Sequence, residues 1–164
     1  FLLDSGKMNL SSYVLACNGM QTQKRLEELG YACDFVAENA GNPEEGSKNF
    51  GSWLGQRKVL VPHSNISSLS VKKHLNNNQL STVEVYKTVL SASIIEPCDV
   101  YVFSSPSNIQ SFFKSNTPKL GSKLIVWGNT SLKSLNEHGY PADYTLKQGS
   151  INELKHLLQS ILKT

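Results

Sequence analysis

The chain is poor in most of the features that mark a function at once. It has no apolar run near the roughly 20 residues a membrane-spanning helix requires, and no segment laid out like a secretory signal peptide. Cysteine is scarce: Cys17, Cys33 and Cys98 are an odd number at unrelated spacings, which suits neither a disulfide framework nor a zinc site. They read as reduced thiols of a cytoplasmic protein. An excess of one charge is missing too. The net charge of +3 over 164 residues is too small and too dispersed for nucleic-acid binding, which concentrates basic side chains on one face. Lys24-Arg25, Lys72-Lys73, Lys119 and Lys123 still suit an anionic small molecule. His63, His74, His138 and His156 lack metal-ligand spacing, so no metal is expected. Asp4-Ser5-Gly6-Lys7-Met8 echoes the end of a phosphate loop, but Phe1 stands where the first Gly belongs and Met8 where a Ser or Thr would bind magnesium. Glu27-Glu28 and Glu44-Glu45 read as solvated helix faces. The triplets beginning at Asn9, Asn65 and Asn129 fit a glycosylation pattern that means little without secretion.

What the chain does have is an internal repeat. Residues 15–34 recur 109 positions later at 124–143, with 8 of 20 positions identical and no gap. Leu15, Gly19, Lys24, Leu26, Glu28, Gly30, Tyr31 and Asp34 match Leu124, Gly128, Lys133, Leu135, Glu137, Gly139, Tyr140 and Asp143. A fixed offset of this length means one structural unit used twice, not a solenoid, and two such units facing each other would enclose a cleft. Each copy runs from an apolar stretch (13–17; 123–127) through Asn18-Gly19 or Gly128-Asn129 into a helix-compatible segment. Gly30 and Gly139 stand where a helix takes a left-handed terminator, and short apolar runs follow at 35–37 and 144–146. The pattern predicts β-turn-α-turn-β twice, with strands buried on both faces of parallel sheets.

The remaining segments fill in an α/β alternation. A helix is predicted from Pro43 to Leu54, a strand at Lys58–Val61 stopped by Pro62, and a helix with Ile66, Leu69 and Leu75 on one side. Residues 82–86 are strand-like, 89–97 form a linker, and Asp99–Phe103 is a strand followed by a helix through Phe112 and Phe113. Ser150 and Glu153 predict a capping box. Ile151, Leu154, Leu157, Leu158, Ile161 and Leu162 give the last helix an apolar stripe. The domain boundaries expected are 1–88, the linker 89–97, and 98–164.

The motifs, taken in order, resemble uroporphyrinogen-III synthase over residues 10–164: G-x-x-T after a strand, a strand ending in Pro62, Val83-Glu84-Val85-Tyr86-Lys87-Thr88, Val102-Phe103-Ser104-Ser105-Pro106-Ser107-Asn108, and Trp127-Gly128-Asn129-Thr130-Ser131. Each motif is common; their order and spacing carry the likeness. The resemblance implies two similar flavodoxin-like parallel-sheet α/β domains joined by a two-stranded linker, with a cleft between them. The family chain builds one domain as an insertion in the other. Residues 10–86 would be the later part of the inserted domain and 98–164 the later part of the first. The family's first strands have no counterpart here and the chain opens on Phe1; an intact-mass measurement decides whether residues precede it.

The activity implied by the resemblance is a cyclising hydro-lyase of haem biosynthesis. It closes linear hydroxymethylbilane to uroporphyrinogen III with inversion of ring D and loss of water, through a spirocyclic intermediate. The same resemblance implies a cytoplasmic monomer with no metal or organic cofactor, whose partner is the small tetrapyrrole, not nucleic acid or membrane. Folding a flexible polyanion into one reactive geometry is catalysis by orientation. Helix N-termini flanked by hydroxyls suit its acetates and propionates. Four turns are therefore candidates: Gly19, Met20 and Thr22; Ser64 after Pro62; Ser105, Ser107 and Asn108; and Asn129, Thr130 and Ser131. Plain helix capping is the other use for these hydroxyls. The second turn departs from the family, which often has Gly at position 64 and an Arg a few residues on, where this chain has Ser64 and Ser68. Tyr86 matches the family Tyr proposed to assist departure of the substrate hydroxyl, a proton a neutral phenol can donate; an ordinary strand Tyr is the alternative. Two other classes stand beside the enzyme: a non-catalytic relative that binds a tetrapyrrole or another polycarboxylate, and a flavodoxin-like binding domain similar by fold alone.

Overall fold

The computed structural model describes residues 9–37 and 42–162, so the Asp4–Met8 motif lies outside the described residues. The chain divides into two compact units, Phe1–His63 with Ser67–Val85, and Ser64–Ile66 with Tyr86–Thr164.

In the first unit, β1 (Ala16–Cys17), α1 (Met20–Glu28) and β2 (Phe35–Val36) form the expected β-turn-α-turn-β, with β1 and β2 parallel. The α1 helix stops because Gly30, at φ 84°, bends the chain so that its amide and that of Tyr31 return to the carbonyls of Glu27 and Leu26. The next helix, α2 (Pro43–Leu54), starts on a side-chain cap: Asn42 accepts from the Glu45 amide at 3.4 Å. Phe50 and Trp53 on α2 pack against Phe35 of β2, ring centres 5.5 and 5.1 Å away. Strands β3 (Val59–Ser64) and β4 (Leu80–Tyr86) pair in a separate two-stranded sheet. Bonds from Val59 N–H to Gln79 and from Asn65 N–H to Tyr86 advance together along both segments, so they run parallel.

Two expectations change here. Pro62 does not stop β3, which continues to Ser64; a two-stranded sheet needs the donors of only one strand edge, and proline is tolerated on the other. The helix expected over 66–75 is a short 3-10 turn at Ser70–His74, entered through Leu69 at φ 44°. Its serines compete for backbone groups, Ser67 accepting from the Leu69 amide. The segment is instead held by α2. Ser70 Oγ lies 2.8 Å from Ser47 Oγ, Glu44 binds Lys73 and His74 at 2.9 and 3.2 Å, and a Cβ on Gly51 would sit 2.8 Å from the His74 carbonyl.

In the second unit β5 (Val100–Phe103), β6 (Lys123–Val126) and β7 (Tyr144–Thr145) form one parallel sheet in the order β5-β6-β7. Helices α3 (Pro106–Phe112) and α4 (Asn129–Glu137) connect them. Tyr101, Phe103, Ile109, Phe112, Leu124, Val126 and Leu135 make its core. Phe112 meets Tyr101 and Phe103 edge-on at 5.4 and 5.3 Å. Residues 89–97 contain no strand, unlike the two-stranded linker expected. Side chains following α3 occupy their backbone instead: Asn116 accepts from the Ile95 amide and donates to Ser93 O, and Lys114 donates to Leu90 O. The closing helix α5 (Ile151–Ile161) carries the Ser150 cap, but not the full capping box. Glu153 accepts from the Lys147 and Gln148 amides at 2.7 and 2.9 Å, brought round by Gly149 at φ 57°. Its apolar stripe is only partly covered, Ile151 and Leu162 remaining 62% and 74% exposed.

Candidate functional site

The candidate turns differ in whether their first helical amides are already satisfied. Both α1 and α4 begin on a glycine, Gly19 and Gly128, with no side-chain cap bond. The amides of the first helical turn have no intrahelical acceptor, so these two starts present backbone donors and the positive end of the helix dipole to an anion. Gly19 needs its residue type, since φ 111°, ψ 159° is closed to side-chain-bearing residues. Beside it Met20 is 69% exposed and Thr22 is exposed. At the second start Asn129 and Thr130 are exposed, but Ser131 is 2% exposed and lies in the core. That is a correction to its grouping with Asn129 and Thr130: one helical turn carries Ser131 round to the buried face with Leu135.

The α3 start is closed by its own side chains. Ser105 Oγ accepts from the Asn108 amide at 3.3 Å, lies 2.9 Å from Ser107 Oγ, and donates to Asn108 Oδ1 at 2.9 Å. Ser104 also donates to Asn108 Oδ1, at 2.7 Å. This turn is a helix cap first, with only Ser104 and Asn108 exposed among its polar residues.

Ser64, the last residue of β3, is 7% exposed. Its neighbour Asn65 does more than the turn signal suggested. The Asn65 amide donates to Tyr86 O at 3.3 Å, its Oδ1 accepts from the Thr88 amide at 2.7 Å, and its Nδ2 donates to Thr88 O at 3.3 Å. One residue, by its amide on one side and its side chain on the other, thus fixes the backbone on either side of Lys87. Tyr86 ends β4 and is 60% exposed. Nothing in the sequence marks the Asn65–Thr88 pair, because the two residues are 23 positions apart.

Several expected cations are already partnered. Lys73 binds Glu44 at 2.9 Å, Lys119 binds Asp99 at 2.6 Å, Lys123 binds Asp143 at 2.8 Å, and Arg25 binds Glu28 at 3.2 Å. The hydrogen bonds from Lys73, Lys119 and Lys123 hold the carboxyls of Glu44, Asp99 and Asp143 below their ordinary range. Among the described residues no group of His, Cys, Asp and Glu could hold a metal ion, and no helix is long and apolar enough to cross a membrane.

Parallel strands with helix starts at their carboxyl ends define the class: a mixed α/β protein built on parallel sheets. Residues 3–155 match the family described as uroporphyrinogen-III synthase HemD, and the chain belongs to that family. A solved structure, the uroporphyrinogen-III synthetase of Helicobacter pylori, shares the fold at TM-score 0.59 and 15% identity, over 94% of this chain and 86% of that one. Comparison with curated protein sequences finds no match.

Proposed function

We propose that the chain is a uroporphyrinogen-III synthase, closing hydroxymethylbilane to uroporphyrinogen III with inversion of ring D and loss of water. The observation that carries the reading is the family match over residues 3–155. The Gly-capped starts of α1 and α4 support it, since they offer backbone donors to carboxylates without a large net charge. In this reading Gly19, Met20 and Thr22 at the α1 start are carboxylate-binding groups, as are Asn129 and Thr130 at the α4 start. Ser64 and Ser131 act from below the surface on the shape of their turns. Ser105, Ser107 and Asn108 keep α3 capped and present Asn108 at its start. Tyr86, exposed at the end of β4, donates to the departing hydroxyl as the carbon–oxygen bond breaks and water leaves. Asn65 positions it by binding Tyr86 O and Thr88. The reaction needs no redox partner, and we infer a cytoplasmic monomer working on a small-molecule substrate.

The test uses the isomer formed. Unassisted closure of hydroxymethylbilane gives the uninverted isomer I, so catalysis appears in the product ratio as well as in the rate. Tyr86→Phe keeps the ring and removes the donor. General-acid assistance is worth about 10²–10⁴-fold, so turnover should fall within that range, isomer I should rise, and product affinity should hold. Equal rates of isomer III from both proteins would leave Tyr86 a structural residue. Isomer I alone from the wild type would make the chain a tetrapyrrole-binding relative without the activity.

A further inference from the structure

Cys17 closes β1 and is 8% exposed; Cys33 is half-buried in the connection that enters β2. Fifteen residues of intervening helix and turn would not suggest it, but their sulfurs lie 3.3 Å apart, and Cys17 Sγ also lies 3.7 Å from the Gly19 carbonyl. The equivalent positions in the second copy are Val126 and Ala142, and both pack on one core. The repeated unit therefore sets these two side chains against each other by its architecture, and thiols occupy the pair in the first copy alone. Cys98, the remaining cysteine, is exposed, and its thiol donates to Glu96 O.

We propose that Cys17 and Cys33 form an oxidisable dithiol, which a peroxide converts to an intrachain disulfide across the β1–β2 connection. Cys33, the accessible sulfur, attacks a peroxide oxygen. An S–O bond forms, the O–O bond breaks, and water leaves. Cys17 sulfur then attacks Cys33 sulfur; the S–S bond forms, the S–O bond breaks, and hydroxide departs with the Cys17 proton as a second water. Two thiols are oxidised and one peroxide is reduced, with no atom unaccounted for. The sulfurs need to close from 3.3 Å to about 2.05 Å, within reach of side-chain rotation on neighbouring strand ends. Burial, and then the Cys33 thiol beside it, push the Cys17 thiol up to about 12. At 8% exposed beside the more accessible Cys33, Cys17 is kept from meeting the peroxide first and is left as the resolving partner. The disulfide takes the Cys17 thiol from the Gly19 carbonyl and ties the root of the Gly19–Thr22 turn to the entry of β2. None of this depends on the tetrapyrrole reading.

The test is to treat the intact chain with hydrogen peroxide, denature it, alkylate it with N-ethylmaleimide and measure its mass. The expected product has lost two hydrogens, takes one adduct at Cys98, yields joined peptides carrying Cys17 and Cys33, and recovers three adducts after dithiothreitol. Cys33→Ser, a near-isosteric change at a half-buried site, should lose no hydrogens and take two adducts. Three adducts on the peroxide-treated wild type, an oxygen retained on Cys33 with Cys17 still alkylated, or a bridge to Cys98 would each overturn the proposal. So would hydrogen loss that persists in Cys33→Ser.

Discussion

The two copies of the repeat agree in backbone and differ in burial. Helix α1 spans Met20–Glu28 and α4 spans Asn129–Glu137, the same 109-residue offset at both ends. Strand pairing repeats as well: Ala16 to Phe35 and Cys17 to Val36, then Ile125 to Tyr144 and Val126 to Thr145. In each copy the aspartate entering the second strand accepts the amide of the first, Asp34 from Leu15 at 2.8 Å and Asp143 from Leu124 at 2.9 Å. Their surroundings part company. Among the described residues β1 pairs only with β2, and α1 buries no residue. In contrast, β6 is flanked by β5 and β7, and α4 buries Ser131, Ser134 and Leu135. Local sequence dictates the shape of the unit, and the neighbours decide how much stability it draws from that shape.

The widest break between the copies should appear at Leu26 and Leu135. Leu135 is 0% exposed within the core of the second unit, whereas Leu26 is half-buried. Leu135→Ala should cost about 2–5 kcal/mol of second-unit stability, and Leu26→Ala roughly half of that or less, since less area leaves water. Each unit holds one of the two tryptophans, Trp53 or Trp127. Urea unfolding followed by fluorescence in Trp53→Phe and Trp127→Phe backgrounds therefore reads the units separately. Equal losses would mean that the first copy is as well packed as the second.

Sequence made the repeated unit readable because its signals are local: a glycine that must turn left-handed, a helix period, an aspartate at a strand entrance. Helix α2 was legible to both ends, from Pro43 to Leu54. The losses occurred where partners distant in the chain decide. Gly51 and Glu44 hold residues 70–74 as a 3-10 turn, and a one-sided sheet lets Pro62 stay in β3. The site was legible in the same proportion. Its turns could be found by their glycines and hydroxyls. That Ser131 faces the core, that Ser105 and Asn108 satisfy each other, and that Asn65 holds Thr88 all depend on tertiary neighbours.

A matched pair of glycine substitutions should sharpen the agreement. Gly30 and Gly139 have φ of 84° and 83°, and a Cβ at either would meet nothing within 4 Å. Ala at each position therefore costs only left-handed strain, about 1–2 kcal/mol, and by equal amounts in the two units. The same tryptophan-resolved urea titrations check it. Costs that differ by more than the strain itself would show that the helix ends are not equivalent despite their matching angles.

The smallest effect should come from exchanging the residue that precedes each copy's first strand pairing. Lys123 binds Asp143 at 2.8 Å, whereas the equivalent Val14 leaves Asp34 without that cation. Both partners in the second copy are open to solvent, the side chains 48% and 29% exposed, so the pair is screened by water and salt. Lys123, through its hydrogen bond, then the Leu124 amide, lower the Asp143 carboxyl below its ordinary range. A carboxyl with a depressed folded value contributes stability above its unfolded value, about 3.9, and that stability is lost as the pH falls through the folded value. Lys123→Val should therefore weaken the second unit slightly at neutral pH, by less than either glycine change, and flatten part of its acid decline. The Leu124 amide keeps the remainder. Val14→Lys should give the first unit a small gain at neutral pH that vanishes in acid and in high salt. Urea midpoints at pH 7 and in the acid limb, each at low and high salt, provide the check. A Val14→Lys gain that survives both acid and salt would have to come from packing of the lysine stem, and the two copies would then differ here in apolar contact rather than in charge.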